Sequence, residues 1–319
     1  MINSYIGYST DEEIRFKATS GGVGTALVRF LFDSKRINGA LTFYYDQDLM
    51  IYVPKIVESF AEYRICGSIY QEVDIVKCLR EYIRTVDCVV KKNILLFCLP
   101  CQVKLIRNIC EKSQLGVIIV GLTCSSQQKI GATYYLLSRL KIEKNHVSHI
   151  QYRGNGWPSG IQIQMKSGEK KFVKNNGSLW RDIFHSKLFV MKRCFGCDNT
   201  LNDYADISLA DPWLKDYSQN ERIGQTLFFS QTVLGQTLIN ACLESGSVIA
   251  KQVENILVEE SQKKTILRKR RYKENPKLRG IIIKIVDNTY YRKAMHNSFF
   301  FSLHCKALNF IENRILKKL

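Results

Sequence analysis

Leu95-Leu-Phe-Cys-Leu-Pro-Cys-Gln102 is the stretch of sequence that decides the fold. Its apolar start predicts a buried strand over residues 94–98, which ends in a turn at Leu99-Pro100. A helix with apolar residues at helical spacing is predicted from about Gln102. Cys101 therefore lies where a strand passes into a helix, and the amide groups and dipole of that helix favour a thiolate there.

A second strand and a second helix follow directly, over residues 117–122 and 129–140. Strands that alternate with helices of this length indicate a parallel sheet covered by helices. Cys101 and Cys124 would then both lie just past the carboxyl ends of strands, where open α/β sheets bind ligands. Their common position is a reason to group the two cysteines.

Beyond about residue 145 the pattern changes. Short runs between residues 147 and 173 predict antiparallel strands, and a helix over residues 178–188 leads to the pair Cys194 and Cys197. We therefore expect an α/β fold in three parts. These are a parallel or mixed sheet domain covered by helices (1–145), an α+β part that carries the CxxC pair (146–260), and a basic helical tail (261–319).

The composition of the 319 residues, 45% hydrophobic and 24% charged, is that of a folded protein with one large or two smaller domains. Neither a signal peptide nor an apolar run of the roughly 18 residues needed to span a bilayer is recognisable, so a cytoplasmic protein is expected. Residues 263–319 hold 16 Lys and Arg against three acidic residues, a formal +13 of the total +18. Because this charge belongs to a tail without a recognised reader motif, a nucleic acid is not the expected partner.

The tail contains apolar residues at helical spacing with Lys and Arg beside them. The stripe is formed by Phe300, Leu303, Ala307, Phe310 or Ile311, and Ile315. This pattern predicts a basic amphipathic helix. Such a helix either docks on the body of the protein or lies on an anionic membrane surface at the inner face of the membrane, and both alternatives stay open.

Eleven cysteines are many for such a chain. Without an export signal, metal binding, redox chemistry or burial explains them better than disulfides do. Simple burial is expected for the cysteines with apolar or helical neighbours, namely Cys78, Cys88, Cys110, Cys242 and Cys305. We hypothesise that Cys101, Cys124, Cys194 and Cys197 bind one metal centre. A zinc ribbon would need a second CxxC nearby, whereas four thiolates from scattered loops suit an iron–sulfur cluster.

Two glycine-containing segments could bind a cofactor. In Lys17-Ala-Thr-Ser-Gly-Gly-Val23, Thr19 or Ser20 is expected to cap the helix that follows, and the glycines would let a phosphate approach the helix amides. Gly67-Ser-Ile-Tyr70 is predicted to begin a helix that runs to about Thr85, and Gly67 could again admit a ligand. A plain capped helix and a simple turn explain the two segments equally well.

Taken together, the motifs resemble those of the coenzyme F-420 hydrogenase/dehydrogenase beta subunit family over roughly residues 15–250. The ordered set is Ser20-Gly-Gly22, Gly67-Ser-x-Tyr70, Pro100-Cys-Gln102, Cys124, Arg153 with Gly156-Trp157, Cys194-x-x-Cys197 and Ala205-Asp-Ile-x-Leu-x-Asp-x-Trp213. No single motif is decisive, but the seven in this order are specific. The resemblance implies a flavoprotein with an iron–sulfur cluster.

The resemblance also implies roles for individual residues. Cys101, Cys124, Cys194 and Cys197 are the implied ligands of a [4Fe-4S] cluster. The implied FAD contacts are Lys17, Thr19, Ser20, Gly21 and Gly22, the second turn of Gly67, Ser68 and Tyr70, and the motif residues Pro100, Arg153, Asp211 and Trp213. No catalytic residue is assigned.

The sequence departs from the family pattern in three places that matter. It has no cysteine before Cys66, so the electrons are expected to come from a separate, ferredoxin-like donor protein. Cys98-Leu99 replaces a usual Gly-Thr, and Ala210 replaces a usual Gly.

The expected function is an oxidoreductase that passes electrons between the cluster, FAD and a small-molecule substrate, in surface polysaccharide biosynthesis. The alternative is a binding protein of the same fold, in which zinc or a cluster only joins two domains.

Overall fold

The structure is a computed structural model that describes residues 1–85, 92–175, 177–219 and 221–315. Its strands are β1 (Ser4–Ser9), β2 (Gly39–Asp46), β3 (Ile51–Val57), β4 (Asn93–Cys98), β5 (Gly116–Leu122), β6 (Val147–Gln151), β7 (Gly160–Met165), β8 (Lys170–Lys174), β9 (Ile207–Ala210), β10 (Thr226–Ser230) and β11 (Val248–Val253).

Helices cover these strands and form the last part of the chain. They are α1 (Glu12–Lys17), α2 (Val23–Asp33), α3 (Ile75–Thr85), α4 (Val103–Lys112), α5 (Gly131–Arg139), α6 (Leu179–His185), α7 (Lys215–Ser218), α8 (Val233–Glu244), α9 (Ile256–Glu274), α10 (Pro276–Asp287), α11 (Thr289–Ala294) and α12 (Ser298–Phe310). A short 3-10 turn, Lys192–Gly196, carries the first cysteine of the CxxC pair.

The main sheet has eight strands in the spatial order β11, β1, β10, β9, β5, β4, β2, β3. Its inner strands β2, β4, β5 and β9 are parallel, and the strands toward both edges are antiparallel. The predicted pair of parallel strands is confirmed, with Leu95 of β4 opposite Ile118 of β5. Leu95 and Ile119 are fully buried. Strands buried on both faces are continuous apolar runs, which is why this stretch is recognisable in the sequence.

The first strand, which the sequence analysis did not predict, connects distant parts of the chain. Ser4 of β1 lies opposite Phe229 of β10 on one side and Val253 of β11 on the other. A Cβ at Gly7 would lie 2.2 Å from the carbonyl oxygen of Ile249, so this close pairing requires glycine. The main sheet therefore takes strands from both sides of residue 145, and the division into parts at that residue stays a prediction.

The predicted antiparallel strands form a separate sheet in the order β6, β7, β8. The α/β architecture with a second sheet and a helical end is thus confirmed. Helix α12 docks on the body through Phe301, His304 and Leu308, and the Nε2 atom of His304 lies 2.7 Å from the carbonyl oxygen of Ser186. The face of α12 that packs is therefore different from the predicted apolar stripe, of which Phe300 and Leu303 remain about half exposed.

Two local predictions are wrong. Helix α3 begins at Ile75 and not at Gly67, because Gly67 has a left-handed backbone with φ of +64°. Neither Thr19 nor Ser20 caps α2, whose N-cap is Gly22 with φ of +77°. Instead, the Thr19 hydroxyl donates to the Oγ atom of Ser68 over 3.1 Å, and Ser20 donates to the carbonyl oxygen of Gln225.

The cysteines expected to pack as small apolar residues behave largely in that way. Cys78, Cys110 and Cys242 are buried and Cys305 is partly buried, while Cys88 lies outside the described residues. In the described part of the chain, no helix has both the length and the apolar character that a bilayer crossing requires.

Candidate functional site

A cavity of about 800 Å³ lies past the carboxyl ends of the parallel strands. Leu99 follows β4, Thr123 and Cys124 follow β5, and Asp211 follows β9, and all of them line the cavity. This is the edge at which open α/β sheets bind ligands. The volume falls within the range of about 300–1,000 Å³ that is common for sites of small molecules and cofactors.

Most of the residues implied as FAD contacts meet in this cavity. Its lining includes Thr19, Ser20, Gly22, Gly67, Ser68, Tyr70, Arg153, Asp211 and Trp213. Lys17 instead pairs with Glu13 on the exposed side of α1, and Pro100 is buried in the turn before Cys101. Gly21 lies behind the wall, where a Cβ would come within 2.5 Å of the carbonyl oxygen of Gly7.

The amino terminus of α2 faces this cavity. Val23, Gly24 and Thr25 of its first turn line it, and the described residues supply no side-chain cap for the helix. The first amides of an α-helix have no partner within the helix, so they are available to an anionic group. The chemistry of this wall suits a phosphate.

The segment around Gly67 lies against the loop of Arg153. A Cβ at Gly67 would come within 2.3 Å of the carbonyl oxygen of Arg153, so no larger residue fits without movement. The hydrogen bond from Thr19 to Ser68 joins the same segment to the entrance of α2. Three motifs that are far apart in sequence thus form one continuous wall.

A buried ion pair crosses the site. Arg153 donates to Asp211 with its Nη1 atom 2.5 Å from Oδ2 and its Nη2 atom 3.3 Å from Oδ1, and it also donates to the carbonyl oxygen of Thr19. Burial acts to lower the pKa of Arg153, but the Asp211 carboxylate and the neighbouring Tyr70 together outweigh it, and the net shift is upward. The Nε atom of Arg153 is buried with no hydrogen-bond partner among the described residues, although the Tyr70 side chain lies near the guanidinium.

Helix α9, which the sequence analysis assigned to the tail, holds the loop of Asp211 in place. Ser261 and Gln262 donate to the carbonyl oxygen of Asp211 over 3.1 and 2.9 Å, and Ser261 accepts from the amide of Trp213. These two polar residues were missed because a basic helical run resembles a solvated tail. Their burial, at 7% exposure each, is a property of tertiary packing alone.

One part of the cavity is cationic. Arg181 of α6 and Lys264 and Arg268 of α9 line it, whereas Glu260 and the paired Asp211 are the carboxylates among its described lining residues. None of these three cations takes part in an ion pair within the described residues. This end of the cavity is therefore suited to an anionic group of a bound molecule.

The four cysteines of the proposed metal centre converge beside the cavity. Burial raises the pKa of the Cys124 thiol to about 12, and the Lys269 ammonium acts in the opposite direction. Cys101, Cys194 and Cys197 each add to the increase, so their thiols lie within electrostatic reach of Cys124. Burial also raises the pKa of Cys194, whose sulfur accepts from the amide of Gln127 over 3.4 Å.

This group of thiols is wider than the coordination sphere of one ion. Among the residues that the structure describes, no three His, Cys, Asp or Glu side chains lie close enough together to hold a single metal ion. All four cysteines are free. Four cysteine thiols from separate loops are the donor set of a cubane cluster, and zinc also accepts four thiolates.

A mixed α/β sheet with a cavity at the carboxyl ends of its parallel strands is the architecture of this chain, and the comparisons with known proteins show that it is of the oxidoreductase class. The chain belongs to the coenzyme F420 hydrogenase/dehydrogenase beta subunit family. The family's N-terminal model matches residues 4–80 and its C-terminal model matches residues 91–256. The resemblance found in the sequence motifs is thereby confirmed. The C-terminal match ends at residue 256, which is the first residue of α9.

Two relatives show how far the similarity extends. The F420-dependent formate dehydrogenase subunit beta of Methanocaldococcus jannaschii is 24% identical over 177 residues, which are 52% of this chain and 43% of the relative. The chain thus matches less than half of that relative's length. A chain in the structure of the F420-reducing [NiFe] hydrogenase complex from Methanosarcina barkeri has a TM-score of 0.63 at 17% identity, over 84% of this chain and 90% of that chain. At this identity, the similarity to the second relative shows the fold alone.

Proposed function

We propose that the protein is an oxidoreductase that holds FAD in the central cavity and a [4Fe-4S] cluster on Cys101, Cys124, Cys194 and Cys197. One observation carries this proposal: the implied flavin-contacting segments and one implied cluster ligand, Cys124, line the same cavity. Electrons could therefore pass between two cofactors over a short distance. Membership of a family of hydrogenase and dehydrogenase beta subunits supports the redox class.

Different residues of the cavity would bind different parts of FAD. The first turn of α2 would bind the pyrophosphate of FAD, and the free Nε–H group of Arg153 would donate to an acceptor on the cofactor. Asp211 keeps Arg153 in position, and α9 keeps Asp211 in position. When bound, the flavin would supply the exchange between single-electron transfer and two-electron chemistry on a substrate.

The four thiols would hold the cluster after losing their protons. Because burial raises the pKa values of Cys124 and Cys194, both are protonated thiols at neutral pH without metal. Loading must therefore release protons and becomes weaker as the pH falls. A single zinc ion that only joins two parts of the fold is the second candidate, because zinc also binds four cysteine thiolates.

An anaerobic absorbance spectrum with quantified iron, zinc and flavin tests this proposal. We expect a broad visible band that bleaches with dithionite, with about four irons and one flavin per chain. A colourless protein that contains stoichiometric zinc would support the second candidate. A protein with neither metal nor flavin after anaerobic purification would refute both cofactor assignments.

We propose a ferredoxin-like protein as the electron donor and a small molecule with an anionic group as the substrate. The cationic end of the cavity at Arg181, Lys264 and Arg268 supports an anionic ligand. For the biological setting we propose surface polysaccharide biosynthesis, which the resemblance implies. Deletion of the gene should then reduce surface polysaccharide, and restoration by the wild-type gene but not by a Cys124→Ala variant would link this effect to the metal centre.

We also propose that α12 contacts an anionic membrane surface. Phe299, Phe300, Leu303 and Phe310 are 70, 48, 54 and 59% exposed, and Lys306 is exposed beside them. Apolar side chains next to basic ones are the features of an interfacial helix. The double variant Phe300→Ser/Leu303→Ser should lose sedimentation with anionic vesicles while keeping its fold, because neither residue is buried. Failure of the wild-type protein to sediment would refute this assignment.

A further inference from the structure

Helix α9 places a buried lysine against the proposed cluster ligands. Lys269 is 5% exposed, and its Nζ atom donates to the carbonyl oxygen of Asn199 over 2.7 Å and lies 3.6 Å from the sulfur of Cys197. The same ammonium is near enough to Cys124 to lower the pKa of that thiol against the effect of burial. Lys269 therefore acts on ligands from two separate loops.

The pKa of the Asp198 carboxylate is lowered by its hydrogen bond with Lys273 and also by the charge of Lys269, but Asp198 is 55% exposed and forms its ion pair with Lys273. None of the ion pairs in the described ranges includes Lys269. Lys187 and Arg268 line the same small pocket beside Cys194 and add positive charge, and Glu312 is engaged with Lys187 at 3.5 Å. A buried cation without an ion-pair partner of its own is unfavourable. The missing negative charge would be that of the four thiolates and the group they bind.

Further contacts hold α9 against the CxxC pair. The ring of Tyr272 packs edge-on against Phe195, which lies between the two cysteines, at a centroid distance of 6.0 Å. Lys273 forms an ion pair with Asp198, the residue after Cys197. Lys269 thus comes from a rigid element that is packed on the metal-binding loop. Its position does not depend on a mobile surface side chain.

We propose that Lys269 is a positioning residue that sets the reduction potential of the four-cysteine centre. This inference rests on the cluster assigned under the proposed function. The ammonium donates a hydrogen bond to the Cys197 thiolate and holds a positive charge beside Cys124. The family models match residues only up to 256, so Lys269 lies in the segment that follows the matched region.

The direction of the effect follows from electrostatics. Reduction by the donor protein adds one electron and one negative charge to the centre, with no bond formed or broken, and Lys269 keeps its proton. A four-thiolate cubane centre is a dianion when oxidised and a trianion when reduced, so a fixed positive charge stabilises the reduced form more. Charge and hydrogen bonds to sulfur are among the factors that set the potentials of such centres. Lys269 therefore raises the midpoint potential.

The test is an anaerobic redox titration of full-length protein, followed by absorbance and electron paramagnetic resonance. Lys269→Met should shift the midpoint to a more negative potential, and Lys269→Arg, which keeps the charge, should remain closer to the wild type. Lys263→Met is the matched control, because it removes the same charge from an exposed position of the same helix and should leave the potential unchanged. Iron per chain is measured for each protein.

The outcomes separate this inference from the proposed function. Wild-type protein without a reducible centre would refute the proposed function and the role of Lys269 with it. A wild-type centre together with an unshifted potential in Lys269→Met would overturn the inference alone. If Lys269→Met loses its iron, Lys269→Gln is compared with Lys269→Arg. Equal potentials in that pair would overturn the assignment, and a more negative potential in Lys269→Gln would support it.

Discussion

The buried pair of Arg153 and Asp211 allows the sharpest prediction. Their side chains are 5% and 11% exposed, and the pair is bidentate. Asp211→Ala would leave the Arg153 charge buried without its counter-charge. Removal of one partner from a buried ion pair typically lowers the free energy of unfolding by about 3–5 kcal/mol. Because whole domains are stable by only about 5–15 kcal/mol, a loss of this size would be large.

Urea unfolding under reducing conditions measures this change as a lower midpoint at an unchanged slope. Glu13→Ala is the control, since it removes an exposed ion pair with Lys17, in which the two side chains are 70% and 50% exposed. Such pairs contribute about 1 kcal/mol or less. A loss below about 1 kcal/mol in Asp211→Ala, similar to that in Glu13→Ala, would refute the argument that the Arg153 charge depends on Asp211.

A double variant separates stability from cofactor binding. Replacement of both partners of a buried ion pair by apolar residues of similar size is often nearly neutral. Arg153→Met/Asp211→Leu should therefore recover much of the stability lost in Asp211→Ala. It should still bind flavin poorly, because the free donor of Arg153 is gone. Recovery of flavin affinity together with stability would show that Arg153 has a structural role only.

Two further predictions concern the cavity wall and the thiols. Gly67→Ala places a Cβ about 2.3 Å from the carbonyl oxygen of Arg153 on a left-handed backbone. It should weaken flavin binding at least about tenfold in a fluorescence titration. Gly280→Ala, whose Cβ would meet no described atom within 4 Å, is the control and should leave flavin binding unchanged. In metal-free protein at pH 8, iodoacetamide should modify exposed Cys101 faster than Cys124, because the pKa of Cys124 is raised to about 12 and the thiolate is the reactive form. Iron should protect both, and equal labelling with and without iron, read by peptide mass spectrometry, would contradict their role as ligands.

The local sequence was sufficient to predict a strand where the strand is buried on both faces. Strands β4 and β5 are apolar runs because helices cover both faces of the sheet, and the predicted and observed ranges agree to within a residue. β1 was missed because its sequence, Ser-Tyr-Ile-Gly-Tyr-Ser, mixes polar and apolar residues and includes Gly7. Its extended form depends on two partner strands, β10 and β11, that follow more than 200 residues later.

Glycine and helix signals were ambiguous without the tertiary contacts. In sequence, Gly67 is compatible with the start of a helix. In the structure, the loop of Arg153 packs against it. Phe300 and Leu303 matched a helical stripe, but Phe301, His304 and Leu308 face the body. The pattern predicts that a helix forms. The face that becomes buried is decided by the surface onto which the helix docks, which periodicity does not describe.

The sequence by itself determined the family and the parallel strands, and it predicted the set of four cysteines, because each of these depends on residue types and their order along the chain. Only the tertiary structure decided that the segments of Ser20, Gly67 and Cys124 line one cavity, that Arg153 pairs with Asp211, and that Lys269 lies beside Cys197. The physical reason is the distance along the chain. Lys269 is 72 residues from Cys197, and the charge of a buried lysine acts on a thiol only after the fold has removed the water between them.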